Sequence, residues 1–379
     1  MSSAVARDEV VLDVCERAPA YVRGIAPYQP GKPISELARE LGLREEGIIK
    51  LASNENPLGA SPKALAALQA ALAETGRYPD GNGFELKAAL SRKYGVSQER
   101  VVLGNGSNDV LEMAARAFLA PGASAVYSQH AFAVYPLATQ ATGAAGIEVP
   151  ARDFGHDLDA MAAAVRDDTR IVFIANPNNP TGTWIAPADL LGFLRKVPSN
   201  VLVVLDEAYN EYLEPAQRGD SARWLDEFPN LVISRTFSKA YGLAGLRVGY
   251  ALVRAEVADL MNRVRQPFNV SHLAQVAAIA ALADQEFVQK SYELNREGMQ
   301  VLTAAFSRLG LSWIPSHANF VTFKVGDGAG VFQSLLKQGV IVRPIGAYGM
   351  PGHLRVTIGT QPENQRFLSV LESVLAGHR

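Results

Sequence analysis

Four short apolar runs, each followed at once by a polar or glycine-rich cluster, are the feature that most constrains the fold of this chain. The runs are 101–103, 171–174, 201–205 and 231–234. They do not alternate with polar residues, which is typical of parallel strands that are covered on both faces. Helical patterns lie between them, such as the stretch opened by Ser61-Pro62 and another over 109–119. This order of elements predicts an α/β fold with a mostly parallel central sheet.

The pattern changes after about residue 255. Long helices are predicted over 256–263 and from 272 to about 309, and strands over 320–325, 340–343 and 354–358. These elements predict a smaller α+β domain. Pro27, Pro30 and Pro33 favour an extended arm over the first 45 or so residues. The predicted division is therefore an N-terminal arm contributing to the small domain at 1–50, a large domain at 51–270 and a small C-terminal domain at 271–379.

The charge balance and the residue counts exclude several classes of function. With 36 Lys and Arg against 38 Asp and Glu, the net charge is −2, so no global field attracts nucleic acid or an acidic membrane surface. A single cysteine, Cys15, makes no internal disulfide, and the six histidines lack the spacing of a metal site. The first twenty residues contain no uninterrupted apolar region, because charged residues recur from Arg7 to Arg17, and no later run approaches a membrane span. We expect a cytoplasmic protein with small-molecule partners and no metal.

Ligands of open α/β sheets lie beyond the carboxyl ends of the strands, so the residues at those ends are the candidate site. The first of them form the turn Gly104-x-Gly106-Ser107-Asn108 between a strand and a helix. Such a turn offers free backbone N–H groups and the positive end of a helix to an anion such as phosphate. An ordinary turn with Ser107 or Asp109 as the helix N-cap is the alternative. The turn matches neither the dinucleotide fingerprint, which needs glycine at 109, nor an NTPase loop.

Lys239 has the most specific chemistry of the strand-end residues. It follows the hydroxyl residues Thr236 and Ser238, and Arg247 lies eight positions further on. A lysine that is partly desolvated and near another cation has a lowered pKa and can form a Schiff base, whereas a lone lysine is usually a surface charge. Hydroxyls and an arginine suit a phosphate monoester. An aldehyde cofactor with a phosphate tail satisfies both requirements, and that cofactor is pyridoxal 5'-phosphate.

The same cofactor needs an acid that keeps its pyridine nitrogen protonated, so that the ring can accept electrons. Asp206, at the end of the apolar run 201–205, is the candidate, although a helix N-cap is an equal alternative for an aspartate in this position. Tyr209, three residues on, is placed to reach the ring hydroxyl from the same turn.

Three motifs together resemble the class I and II pyridoxal-phosphate aminotransferases, and within them the histidinol-phosphate aminotransferase group. The similarity extends from 25–31 to 353–359, over nearly the whole chain. The motifs occur in the order that the family shows and read Asn176-Pro177-Asn178-Asn179-Pro180-Thr181-Gly182, Asp206-Glu207-Ala208-Tyr209 and Ser238-Lys239-Ala240-Tyr241-Gly242-Leu243-Ala244-Gly245-Leu246-Arg247-Val248-Gly249-Tyr250.

The resemblance implies a role for each matching residue toward the cofactor. Lys239 would hold it covalently and later move a proton at the substrate α-carbon, while Asp206 would pair with the ring nitrogen. Asn179 and Tyr209 would donate to the ring oxygen, and Phe132 would stack on the ring, where many relatives have tyrosine. The phosphate would be held by the backbone amides of Ser107 and Asn108, by Ser238, by Arg247 and by Tyr78 of the partner subunit. That last assignment implies a homodimer.

Substrate recognition is also implied by the resemblance. Arg355 lies where the family binds the carboxylate of an amino acid or the phosphate of histidinol phosphate, and a guanidinium suits either anion. Arg343, Tyr28 and Asn179 would be further substrate contacts. Asn319 is a weaker candidate and could equally be a turn residue.

The implied reaction is amino-group transfer from histidinol phosphate to 2-oxoglutarate, giving imidazole acetol phosphate and glutamate in histidine biosynthesis. An aromatic amino acid aminotransferase acting on phenylalanine or tyrosine is the alternative on the same scaffold, followed by a decarboxylase or lyase. A serine hydrolase is disfavoured because Ser107 lacks the flanking glycines of a nucleophile elbow. A cofactor-sensing regulator would need an added DNA-binding module, for which the chain has no spare length before about residue 25.

Overall fold

The computed structural model describes residues 14–377. The helices are α1 Ala20–Arg23, α2 Ile34–Leu41, α3 Pro62–Ala71, α4 Phe84–Tyr94, α5 Ser107–Phe118, α6 Val134–Ala141, α7 Leu158–Ala163, α8 Pro187–Lys196, α9 Ser221–Glu227, α10 Ala255–Arg263, α11 His272–Ala283, α12 Gln285–Arg308, α13 Gly328–Lys337 and α14 Gln361–Gly377. The strands are β1 Ile49–Lys50, β2 Val101–Gly104, β3 Ser124–Ser128, β4 Ala145–Val149, β5 Thr169–Ala175, β6 Leu202–Asp206, β7 Leu231–Thr236, β8 Gly249–Val253, β9 Trp313–Ile314, β10 Phe320–Lys324, β11 Val340–Ile341, β12 Arg343–Pro344 and β13 His353–Thr357.

The central sheet has seven strands in the order β2-β8-β7-β6-β5-β3-β4. β8 runs antiparallel to both of its neighbours, and the remaining pairs are parallel. Successive side chains of a strand point to opposite faces, and in β5 they enter two different cores: Ile171 and Phe173 pack on one face, Val172 and Ile174 on the other. Burial on both faces explains why the runs do not alternate. The predicted α/β fold with a mostly parallel sheet is confirmed.

The register of the parallel strands brings three polar segments to one edge of the sheet. Ala175 at the end of β5 lies opposite Asp206 of β6, and Asp206 lies opposite Ser234 of β7. The turn 176–180, the carboxylate of Asp206 and the segment that carries Lys239 therefore begin side by side. This edge is where an α/β sheet binds its ligands.

A second, antiparallel sheet of order β12-β13-β10-β9 lies in the C-terminal part of the chain. Phe323 of β10 stacks on Phe306 of α12 with 4.6 Å between ring centroids, and Phe367 of α14 meets the same pair edge-on. β13 pairs with both β10 and β12, which places Arg355 opposite Thr322 and Arg343. The N-terminal segment joins this region through β1, which pairs in parallel with β11.

The predicted extended arm over the first 45 or so residues is wrong for 34–41, which form the helix α2. Leu37 and Ala38 are buried there against Ile48 and Ile341. The prolines all precede Ile34, and a proline ahead of the first turn does not obstruct a helix. The packing partner Ile341 lies about 300 residues away, so the burial that stabilises α2 depends on the tertiary fold.

The single helix predicted from 272 to about 309 is also wrong, because Asp284 divides it into α11 and α12. The backbone of Asp284 is not helical, with φ −95° and ψ 65°. Its carboxylate accepts a hydrogen bond from the hydroxyl of Ser61 at 2.8 Å and pairs with Lys63 at 3.3 Å, at the start of α3.

No helix within residues 14–377 has the length and hydropathy needed to cross a membrane.

Candidate active site

One cavity at the carboxyl edge of the central sheet collects every residue predicted for the site except Tyr78 and the weaker candidate Asn319. Its walls come from the central sheet, the N-terminal segment and the C-terminal sheet. The predicted residues that line it are Tyr28, Ser107, Asn108, Phe132, Asn179, Asp206, Tyr209, Ser238, Lys239, Arg247, Arg343 and Arg355. The described residues include no group of three or more His, Cys, Asp or Glu side chains that could hold a metal ion.

Lys239 enters this cavity from the segment that follows β7. Its Nζ donates a hydrogen bond to the backbone carbonyl of Ser53 at 3.1 Å and lies 5.7 Å from the ring centroid of Tyr209. Desolvation lowers the pKa of the Lys239 amine to about 7, and the positive charge of Arg355 acts in the same direction. A large fraction of this amine is therefore neutral near pH 7, the form that attacks an aldehyde.

Asp206 lies at the floor of the cavity and is 5% exposed. Its Oδ2 accepts a hydrogen bond from the hydroxyl of Tyr135 at 3.0 Å, and its Oδ1 accepts one from the backbone N–H of Ala208 at 3.2 Å. Burial raises the pKa of Asp206 to about 6, and both hydrogen bonds oppose that rise. The contact with Ala208 belongs to a tight turn, since the next helical turn begins at Asn210.

Two amide side chains and a phenol lie beside Asp206. The hydroxyl of Tyr209 accepts a hydrogen bond from Nδ2 of Asn54 at 2.9 Å, and burial raises the pKa of Tyr209 to about 12, so the phenol keeps its proton. Oδ1 of Asn179 accepts a hydrogen bond from Arg355 at 2.5 Å. Phe132 presents its ring to the cavity and meets Tyr135 edge-on, with 5.9 Å between ring centroids.

The glycine-rich turn lies at one end of the cavity, where α5 begins at Ser107 with Gly106 as its N-cap. Gly106 has φ +77°, and a Cβ built there would lie 2.6 Å from Nη2 of Arg247. A Cβ at Gly249 would lie 2.5 Å from the backbone nitrogen of Ser107. Both glycines are therefore required for the close approach of the backbone to the guanidinium and to the helix start.

The side chains around this turn complete an anion site. Nη1 of Arg247 donates to the hydroxyl of Ser238 at 3.3 Å. Asp109, which the sequence offered as a possible N-cap, instead accepts hydrogen bonds from the backbone N–H of Asn105 at 2.9 Å and from Asn269 at 2.7 Å, so it braces the turn. Free helix N–H groups, a hydroxyl and a guanidinium are the donors that a phosphate monoester requires. The donor set fits the phosphate of pyridoxal 5'-phosphate, and Lys239 and Asp206 fit its aldehyde and its ring nitrogen.

The opposite end of the cavity carries two guanidinium groups. Arg355 is 5% exposed; besides Asn179 it donates to the backbone carbonyl of Ala52 at 2.7 Å, and its Nε has no hydrogen-bond partner within the described residues. Arg343 donates to the hydroxyl of Tyr28 at 3.3 Å and to the carbonyl of Gln29 at 2.6 Å. Burial lowers the pKa of Arg355 without removing its charge, so this end of the cavity attracts an anion.

Tyr78 and Asn319 lie away from these groups. Tyr78 is 83% exposed and stacks on Phe268, with 4.7 Å between ring centroids. Asn319 is buried and donates to the backbone carbonyl of Asn54 at 3.0 Å, so it supports the segment that carries Asn54.

The cavity is also lined by residues that sequence reasoning missed, among them Asn54, Tyr135 and Tyr348. Asn54 belongs to the stretch Ser53-Asn54-Glu55-Asn56-Pro57, which has the same asparagine and proline character as the turn 176–180. That likeness was a usable signal. Tyr135 and Tyr348 carry no comparable signal in the sequence.

Comparisons with known proteins agree with this geometry. Residues 46–371 match the family model described as aminotransferase class I and II. The chain is 63% identical to histidinol-phosphate aminotransferase 2 of Nitrosospira multiformis over 96% of this chain and 93% of that protein. It is 65% identical to the histidinol-phosphate aminotransferase of Methylobacillus flagellatus over 94% of this chain and 97% of that protein.

Solved structures give the same result. Histidinol-phosphate aminotransferase from Sinorhizobium meliloti, in complex with pyridoxal-5'-phosphate, superposes with a TM-score of 0.89 at 29% identity, covering 96% of this chain and 98% of that one. An aspartate aminotransferase double mutant from Thermus thermophilus superposes with a TM-score of 0.81 at 26% identity, covering 94% and 99%. The chain belongs to the family of class I and II aminotransferases.

Proposed function

We propose that this chain is a pyridoxal-phosphate-dependent histidinol-phosphate aminotransferase, which transfers the amino group of histidinol phosphate to 2-oxoglutarate in histidine biosynthesis. The observation that carries the proposal is that the Lys239 amine shares one cavity with an anion site at Gly106 and Arg247 and with the guanidinium groups of Arg343 and Arg355, and that the charges of Arg247 and Arg355 both act on this amine. The relatives named above, at 63% and 65% identity, bear the same name.

When bound, pyridoxal 5'-phosphate supplies an electron-accepting ring that acidifies the α-carbon proton of an amino substrate. The residues of the chain do the rest. The amine of Lys239 has a pKa of about 7, so it can take up and return that proton near neutral pH. Asp206 in its ionised form would keep the ring nitrogen protonated, Asn179 and Tyr209 would donate to the ring oxygen, and Phe132 would stack on the ring.

The substrate end of the site fits both half-reactions. Histidinol phosphate presents a phosphate, and glutamate and 2-oxoglutarate present carboxylates. Planar guanidinium groups bind either anion through paired hydrogen bonds. The ring of Tyr28 packs against Arg343, with 5.5 Å between the guanidinium carbon and the ring centroid. The N-terminal segment therefore covers this end of the cavity.

The test is steady-state kinetics with 2-oxoglutarate as acceptor and either histidinol phosphate or phenylalanine as donor. We expect kcat/KM for histidinol phosphate to exceed that for phenylalanine by at least about tenfold, a difference of about 1.4 kcal/mol in transition-state binding. Formation of glutamate and a keto product distinguishes transfer from decarboxylation or elimination. A preference for phenylalanine would replace the proposal with an aromatic amino acid aminotransferase.

We also propose that the active unit is a cytoplasmic homodimer in which Tyr78 of the partner subunit reaches the cofactor phosphate. Tyr78 and Phe268 support the dimer, because two large aromatic side chains stack on each other at the surface and are 83% and 46% exposed.

The domain limits of 1–50, 51–270 and 271–379 stay predictions, which limited proteolysis of the purified chain would test.

A further inference from the structure

We propose that His130 is a positioning residue that holds the substrate end of the cavity against its cofactor end. His130 follows β3 and lies two residues before Phe132. Its Nδ1 is 2.5 Å from the backbone carbonyl oxygen of Tyr348, which is 218 residues further along the chain. A carbonyl oxygen only accepts, so Nδ1 carries the proton and donates this hydrogen bond.

Three segments of the site meet at this one residue. The backbone carbonyl of His130 accepts a hydrogen bond from Nδ2 of Asn178 at 3.0 Å, and Asn178 is the residue before Asn179. Tyr348 lines the cavity together with Arg343 and Arg355. His130 therefore connects the loop of Phe132, the loop of Asn179 and the turn 346–348 of the C-terminal part.

The packing around the imidazole supports the same connection. A Cβ built on Gly349 would lie 3.4 Å from Cε1 of His130, so the turn after Tyr348 approaches the ring closely. On another side the ring of Phe154 lies 6.2 Å from it, centroid to centroid. The imidazole thus occupies a defined place between the two parts of the chain.

The backbone at position 130 is in the left-handed region, with φ +56°. Asparagine and histidine adopt this region more readily than most residues, and glycine adopts it freely. Asparagine also places its Nδ2 donor close to the position of the histidine Nδ1. Three substitutions therefore separate the contributions: H130N keeps the donor and the backbone, H130G keeps only the backbone, and H130A keeps neither.

The experiment combines hydrogen exchange of the segment 345–350 with steady-state kinetics, using the cofactor-loaded enzyme. We expect H130G to increase exchange in 345–350, and to raise KM for histidinol phosphate by about tenfold with kcat within about twofold, since one hydrogen bond is lost. H130N should restore KM to within about threefold of wild type, and H130A should be at least as impaired as H130G. The control His317→Asn changes a histidine whose ring lies 5.4 Å from that of Trp184, centroid to centroid, outside this cavity, and it should leave both measurements unchanged.

Two results would overturn the proposal: exchange in 345–350 and KM both at wild-type values in H130G, or H130N as impaired as H130G. The kinetic measurement rests on the proposed function, whereas the hydrogen-exchange measurement does not. If the wild-type enzyme transfers no amino group from histidinol phosphate, the proposed function fails, and the exchange of 345–350 still decides whether His130 holds that turn.

Discussion

Arg355 of β13 donates a hydrogen bond from Nη1 to Oδ1 of Asn179, which joins the guanidinium at the substrate end to the amide beside the cofactor ring. Nη2 of Arg355 is engaged by the carbonyl of Ala52, so an incoming anion meets a guanidinium that is already fixed in orientation. A group that is held in place before the substrate arrives loses less entropy on binding.

The substitution N179D tests this connection. It would place a carboxylate against Arg355, and the resulting ion pair would compete with the substrate anion for the guanidinium. We expect KM to rise by at least about tenfold for both histidinol phosphate and 2-oxoglutarate, because both anions use Arg355. Steady-state kinetics with each substrate varied in turn measures this. A rise for only one of them would mean that the two anions bind at separate places.

The low pKa of Lys239 predicts how the cofactor-free protein reacts with amine reagents. The pKa of Lys239 is about 7, because its amine is desolvated and lies near Arg355. Its neutral form therefore accumulates as the pH rises through 7, and reductive methylation should be half-maximal there. Lys290 is the control, since Glu286 at 2.8 Å raises its pKa above the ordinary value. Peptide mass mapping across pH 5 to 9 should show methylation at 239 well before 290.

Replacement of the same amine tests its chemical role. In Lys239→Ala, borohydride treatment of the cofactor-loaded protein should give no adduct on the peptide that contains position 239, and turnover should fall by at least about 10³-fold. Lys290→Ala should keep both the adduct and the turnover. An adduct on another lysine in the wild-type protein would contradict the role given to Lys239.

The phosphate end of the cavity is expected to require a residue without a side chain at position 106. G106A would put a Cβ 2.6 Å from Nη2 of Arg247 at φ +77°, so the guanidinium must move. We expect the affinity for pyridoxal 5'-phosphate to weaken by at least about tenfold, measured by titration of the cofactor-free protein. G245A is the matched control in the loop just before Arg247, because a Cβ at 245 meets nothing within 4 Å. Equal affinities for the two variants would show that the turn tolerates a side chain.

Much of the fold and of the reacting groups could be predicted because local sequence carries them. Burial on both faces gives β5 and β6 their uninterrupted apolar residues, and the polar residue that ends each run marks the ligand edge. Lys239 and Asp206 lie directly at such ends, so their chemistry can be read from their immediate neighbours.

The supporting contacts could not be predicted, because they depend on packing between distant segments. Tyr135 reaches Asp206 across 71 positions, and Asn54 reaches Tyr209 across 155. The residues around Tyr135 give no sign of this contact, and those around Asn54 indicate a polar turn but do not identify Tyr209 as its partner. The same holds for Arg235 of β7, whose guanidinium is buried against Glu207 at 2.6 Å behind the site. The helix α2 belongs to this group as well, since its buried face packs on β11.

Removal of the Tyr135 hydroxyl is expected to shift the pH dependence of cofactor binding. Its hydrogen bond favours the ionised form of Asp206, so Y135F should raise the pKa of Asp206 above its value of about 6. A carboxylate is lost as the pH falls through its pKa, so the variant should lose ionised Asp206 at a higher pH than wild type. We expect the ratio of cofactor dissociation constants at pH 6 and pH 8 to increase by about fivefold.

The control for that measurement is Y127F, which removes the hydroxyl of Tyr127 in β3, whereas the hydrogen bonds described for the Asp206 carboxylate come from Tyr135 and Ala208. The ratio of the cofactor dissociation constants of Y127F at pH 6 and pH 8 should match that of the wild type. If Y135F weakens cofactor binding equally at both pH values, the hydroxyl of Tyr135 contributes packing and leaves the ionisation of Asp206 unchanged.

The exposed Tyr78 predicts complementation between two inactive variants. If Tyr78 of the partner subunit contacts the phosphate, Lys239→Ala in one subunit and Tyr78→Ala in the other fall on the same site of a mixed dimer. One site of that dimer receives both mutations and the other receives neither. Unfolding and refolding an equal mixture should therefore restore about a quarter of the wild-type activity, because half of the dimers are mixed and each has one intact site. Each variant refolded alone is the control and should stay below that value. A mixture that only averages the two activities would mean that Tyr78 acts within its own subunit or has no part in the site.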